Sequence, residues 1–171
     1  MAVTPAGTPY VESSDLVANY PGVSLALANH IDGLDGGKVL QVVQGTTTTS
    51  TATTSASYVD TTLTVTITPS ATSSKILLFT SQNINCDGVG STVIDWQIVR
   101  GSTSIAEFSR YIFSSGSQVF GGTFAASWLD SPATTAATTY KTQFKRSAGS
   151  NSISAQNVSS RSMIIAMEVS E

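Results

Sequence analysis

Few residues of this 171-residue chain have the chemistry of catalysis, and their placement limits what each can do. His30 is the only histidine, so a Ser-His-Asp or Cys-His relay would have to run through it. It falls in a stretch with helical spacing ahead of the β-patterned body, where a helix-face or interface histidine is the expected role. Cys86, the only cysteine, ends a strand pattern beside the Gly88-Val89-Gly90 turn and reads as a buried small hydrophobe. One His and one Cys without a tight carboxylate cluster do not make a zinc site within one chain. A site shared by three copies of His30 around a symmetry axis stays geometrically open. Glycoside hydrolysis needs two carboxyls roughly 5–10 Å apart. Asp95 and Glu107 lie on neighbouring expected strands and could face each other, but Arg100 and Arg110 offer them ion-pair partners.

The remaining candidates are binding features. Tyr140–Arg146 interleaves basic and aromatic residues, as nucleic-acid-binding strands do. On a strand, however, Tyr140, Thr142, Phe144 and Arg146 share one side and Lys141, Gln143 and Lys145 the other, which is a core face against a wet face. Gly88-Val89-Gly90 and Gly121-Gly122 are too sparse for a phosphate loop and read as a turn and a bulge. Tyr111, Phe113, Phe120, Phe124 and Trp128 fall in adjoining strands and supply either core or a platform for stacking carbohydrate.

The elements that hold these residues follow from patterning. From Lys38 onward apolar residues recur at period two, and strands are expected near 38–44, 58–68, 75–83, 93–100, 104–113, 119–129, 138–147 and 161–169. Pro69-Ser70, Gly101-Ser102, Ser115-Gly116 and Ala148-Gly149-Ser150 separate them. About eight strands at this spacing predict a mainly β fold, an antiparallel β-sandwich or jelly roll over 37–171. Between the first two strands, Thr46–Ser57 is Thr and Ser interrupted only by Ala52 and Ala56. Such a run is extended, uncharged and without a catalytic side chain.

Residues 1–36 pattern differently. Pro5, Gly7 and Pro9 suit an extended arm. Ser13-Ser14-Asp15 offers an N-cap to a short helix holding Leu16 and Val17, and Pro21 opens a second that Gly33 closes. Val23, Leu27, Ile31 and Leu34 fall on one face of that helix. About three turns are marginal alone in water, so this segment must pack on something, which makes these six residues the expected attachment and oligomerisation surface.

Composition narrows the function classes. Charged residues make up 11% of the chain, against a usual share of about 25%. The place of ions is taken by 24 Thr and 27 Ser, a composition suited to exposed sheet. Eight Lys and Arg, scattered through a chain of net charge −3, argue against nucleic acid as a partner. A single cysteine excludes an intrachain disulfide. With no basic start followed by an apolar core, Sec export is not expected, and no apolar run reaches the ~20 residues that cross a bilayer.

The stretch GKVLQVVQGTTTT, then Tyr58-Val59-Asp60-Thr61, then Leu63–Leu78, resembles a module common in tailed bacteriophages, especially marine ones. Ile98–Ala106, Thr138–Ser150 and Ser162–Glu171 fit the same module, and Thr8–Leu34 is similar to N-terminal segments of phage tail and fibre-like proteins. This resemblance implies a non-enzymatic virion structural protein made in the host cytoplasm. It implies a homotrimeric short fibre or knob attached to tail or capsid proteins through residues 1–36, possessing no cofactor and contacting host surface glycans. The short helical region, without a shaft, leaves a capsid decoration protein as the alternative and a polysaccharide depolymerase as a more remote one.

Overall fold

Thr alternating with Leu63, Val65 and Ile67 puts methyls on one side of a strand and hydroxyls on the other. A computed structural model of the chain describes residues 2–3, 9–10, 37–88, 90–114 and 120–170, with the backbone alone at 2–3, 9–10, 110–114, 120 and 158. Met1–Lys38 with Ser170–Glu171 forms one compact unit and Val39–Val169 another. In the first, β1 (Ala2–Val3) pairs antiparallel with β2 (Pro9–Tyr10). The Gly37 N–H donates to the Ser170 carbonyl at 3.0 Å, and the Ser170 N–H donates to that of Lys38 at 2.9 Å. The helices expected around Leu16, Val17, Val23, Leu27, His30, Ile31 and Leu34 lie outside the described residues.

The second unit is built from strands. They are β3 (Val39–Thr47), β4 (Thr51–Thr53), β5 (Val59–Ile67), β6 (Lys75–Asp87), β7 (Gly90–Arg100), β8 (Thr103–Ser114), β9 (Phe120–Asp130), β10 (Thr138–Ala148), β11 (Ser152–Ala155) and β12 (Ser162–Val169). Among the described residues the only helical element is a 3-10 turn at Asn157–Ser159. The smaller antiparallel sheet runs β5-β10-β7-β8. In the larger, β9 lines one edge of β6, while β12 and then β11 share the other, with β3 and β4 outside them. The eight main strands match the sequence pattern. The short β4 and β11 were not expected: they pair with each other, and β11 covers the Ile84–Asp87 end of β6 that β12 does not reach.

The sheets face each other across a core split into two apolar clusters. Leu63, Ile67, Leu78, Ile98, Tyr140 and Ile164 lead the first. Ile84, Ile94, Trp96, Phe124, Phe144 and Ile153 lead the second. Fully burying each such side chain stabilises by about 1.5–3 kcal/mol. Between the clusters lies a polar seam of Thr61, Gln82, Thr142, Gln156 and Ser162, all fully buried. Thr142 donates to Gln82 Oε1 at 2.6 Å and shares a hydroxyl–hydroxyl bond of 2.5 Å with Thr61. Ser162 Oγ accepts the Asn83 N–H at 2.9 Å. In the amide orientation that satisfies both its ends, Gln156 donates to the carbonyls of Thr61 and Thr49 and accepts from Gln82 and Ser162. The β5–β10 register breaks at this level, between Lys141 and Gln143, and Thr62 adopts φ 66° there. Thr61 keeps the inward parity of Leu63, Val65 and Ile67 through this bulge, and its hydroxyl meets Thr142.

One carboxylate is buried at an end of the core. Glu168 accepts from the Ser70 N–H and hydroxyl, each at 2.6 Å, and from Gln41 Nε2 at 2.5 Å. Burial alone would raise its pKa, but the bonds from Ser70, Gln41 and Ser74 outweigh it and hold the group at about 2. A folded pKa below the unfolded value gives stability that is complete above about 4.5 and is lost as pH falls toward 2. Glu168→Gln should therefore flatten the stability profile between those pH values, as read from urea unfolding at successive pH. An unchanged slope would remove Glu168 as its source.

Candidate functional site

A concave feature sits between two strand edges. Among the described residues, β8 pairs only with β7 and β9 only with β6, so both edges are open. Between them is a cavity of about 370 Å³, lined by Trp96, Phe108, Ser109, Thr123, Phe124 and Ala125. Trp96 is 2% exposed and packs on Phe108 with ring centroids 5.0 Å apart. Its buried Nε1 has no hydrogen-bond partner among the described residues. The lining carries no formal charge, so it suits an uncharged ligand with an apolar face and hydroxyls. Between β3 and β5, by contrast, the sandwich is tight: a Cβ on Gly45 would fall 1.9 Å from the Thr64 carbonyl oxygen.

Beside the cavity, the outer face of the smaller sheet carries a charged cluster. Asp95 stands opposite Ser109 on β8 and Lys145 on β10, while Glu107 stands opposite Gln97. The two carboxylates are thus diagonal neighbours rather than a facing pair. Lys145 Nζ joins them, 3.4 Å from Asp95 and 3.7 Å from Glu107, and lies 4.3 Å from the Tyr58 ring centroid. Tyr58 donates to Glu107, and Ser109 donates to Asp95. Burial opposes the Asp95 charge, but bonds from Ser109, Ser147 and Lys145 hold its pKa below the usual carboxylate range. A general acid in glycoside hydrolysis needs the opposite shift. Burial, then Glu107, pushes the Tyr58 phenol up.

The expected partner Arg100 is used elsewhere. Its Nη1 meets Asp130 at 2.8 Å, and the Tyr140 hydroxyl donates to the same carboxylate at 2.7 Å. Burial, reinforced by Asp130, raises the Tyr140 pKa. The Arg110 side chain lies outside the described residues. No family model matches the chain, and no curated protein matches it.

Other sequence candidates find structural roles. Cys86 is buried in the second cluster. Tyr140, Thr142 and Phe144 are buried, and Lys141 reaches Asp60 at 2.8 Å on the outer face. Arg146 is part-buried and donates to the Asn151 carbonyl at 3.1 Å. Gly121-Gly122 is not a bulge, because the β6–β9 register runs unbroken through it. Gly121 instead allows close approach, since a Cβ there would lie 1.8 Å from Asn85 Oδ1. Of the candidate aromatic platform, Phe124 is core, Trp128 is 41% exposed, and the side chains of Tyr111, Phe113 and Phe120 lie outside the described residues. The roles of Tyr58 and Lys145 in the charged cluster, and of Glu168 at the end of the core, were not read from the sequence. Only the inward parity of Glu168 with Ile164 and Ala166 signalled a carboxylate needing buried partners.

Proposed function

We propose that the chain is a non-enzymatic phage virion protein. It is a short homotrimeric fibre or knob of jelly-roll type, attached to the particle through residues 1–36 and contacting host glycans. The strand order carries the fold part of this reading. β3/β4 pairs with β11/β12, β5 with β10, β6 with β9 and β7 with β8, so the chain is a long hairpin rolled into two sheets. The non-enzymatic part is supported by the employment of five of the six described carboxylates: Asp60, Asp95, Glu107, Asp130 and Glu168 each hold a structural bond. The uncharged aromatic cavity between β8 and β9 is where a sugar ring would fit.

The deciding experiment is immunogold electron microscopy of purified particles with an antibody to the β domain. Label confined to the tail is expected of a fibre or knob. Label spread over the head would replace that reading with capsid decoration, and unlabelled particles would overturn both.

A further inference from the structure

We propose that the outer face of the larger sheet is a contact surface between copies of this chain. Outward positions on its four main strands align in register. Val42, Met167, Leu77 and Leu129 form one continuous apolar row from β3 to β9. In the next row, Ile165 and Phe79 stand side by side between Gln44 and Ser127. Val42 is 57% exposed, Leu129 56% and Phe79 42%, so this is side-chain surface open to water in the isolated chain.

Charge selects the occupant. Along the outward side of β6, Lys75 and Asp87 stand at the two ends, and Leu77, Phe79, Ser81, Asn83 and Asn85 lie between them. The facing positions of β3, β12 and β9 add Gln, Thr, Ser and apolar residues but no ion. The smaller sheet's outer face differs, carrying Asp60, Asp95, Glu107, Lys141 and Lys145. A neutral face gives a charged partner no ion-pair handle. For a chain of net charge −3, it is the surface on which a second copy meets no like-charge conflict.

The area is sufficient. Four strands about 4.8 Å apart and four side-chain rows about 6.8 Å apart span on the order of 500 Å². Two such faces bury roughly 1,000 Å², the level that a specific interface must clear, and a face of this size falls among the largest patches of monomers, which are often functional.

This inference rests on the homo-oligomeric part of the proposed function and assigns it a surface. The test is sedimentation velocity of the full chain over a wide concentration range, comparing wild type with Phe79→Lys and Leu129→Lys. Thr103→Lys, an exposed position on the smaller sheet, serves as the added-charge control. Wild type and the control should associate, whereas the two face variants should dissociate with constants raised about a hundredfold and an unchanged circular dichroism spectrum. A wild-type chain that stays monomeric overturns the proposal. So does association that survives both face variants, which would leave the oligomer intact and place its contact elsewhere. Particle labelling is read separately, so a monomeric chain that still labels virions defeats this inference without defeating the virion reading.

Discussion

Replacing Gln82 by Leu should lower the stability of the sandwich by about 2–5 kcal/mol, although Leu is apolar and similar in size. Gln82 Oε1 accepts from Thr142, and Gln82 Nε2 serves the Gln156 carbonyl oxygen, all in full burial. Leu removes both bonds together, leaving Thr142 its bond with Thr61 and Gln156 its bond from Ser162, and each buried bond lost without replacement costs about 1–3 kcal/mol. At about 2–4 °C per kcal/mol for a domain of this size, the midpoint should fall by roughly 5–15 °C. Urea denaturation measures it directly. A triple variant, Gln82→Leu with Thr142→Val and Gln156→Leu, should recover part of the loss, because removing donors and acceptors together leaves fewer orphans. A loss below about 1 kcal/mol for the single variant would mean that the seam's bonds are not made as described.

Gly45→Ala should be as damaging for a steric reason. The new Cβ would lie 1.9 Å from the Thr64 carbonyl oxygen, 2.8 Å from its carbon and 3.2 Å from Ile164 Cγ2. Two of these are backbone atoms, which cannot rotate away, so β3 and β5 must part. Overpacking a rigid site costs about 1–3 kcal/mol and more when backbone must move, so a loss of about 3 kcal/mol is expected. Gly122→Ala is the matched control, since a Cβ there meets nothing within 4 Å. Equal unfolding midpoints for the two variants would show that β3 and β5 are not held this closely.

The parity of side chains was legible along nearly the whole β body. Leu63, Val65 and Ile67 face inward, as do Ile94, Trp96 and Ile98, because a strand's period of two needs no knowledge of its partner. The polar seam was half legible. On β6 the inward row Ile76, Leu78, Thr80, Gln82, Ile84, Cys86 is polar in its middle, which marks a buried amide but not what answers it. The candidate site was less legible still. Asp95 and Glu107 were correctly placed on adjoining strands, yet the register sets them on a diagonal and gives both to Lys145 from a third strand. Arg100, close to Asp95 in sequence, turns to Asp130 at the other end of its strand.

By itself the sequence determined the eight main strand-forming segments, the side of each that is buried, and a surface poor in ions. These follow from local alternation and composition, which depend on neighbours a few residues away. Tertiary structure decided which strands pair, that Glu168 would meet Ser70 and Gln41, and that Gln82 would meet Thr142 and Gln156. It also aligned Val42, Met167, Leu77 and Leu129 into one apolar row. Those contacts join residues from distant parts of the chain, and alternation fixes the face a side chain occupies but never the partner across from it.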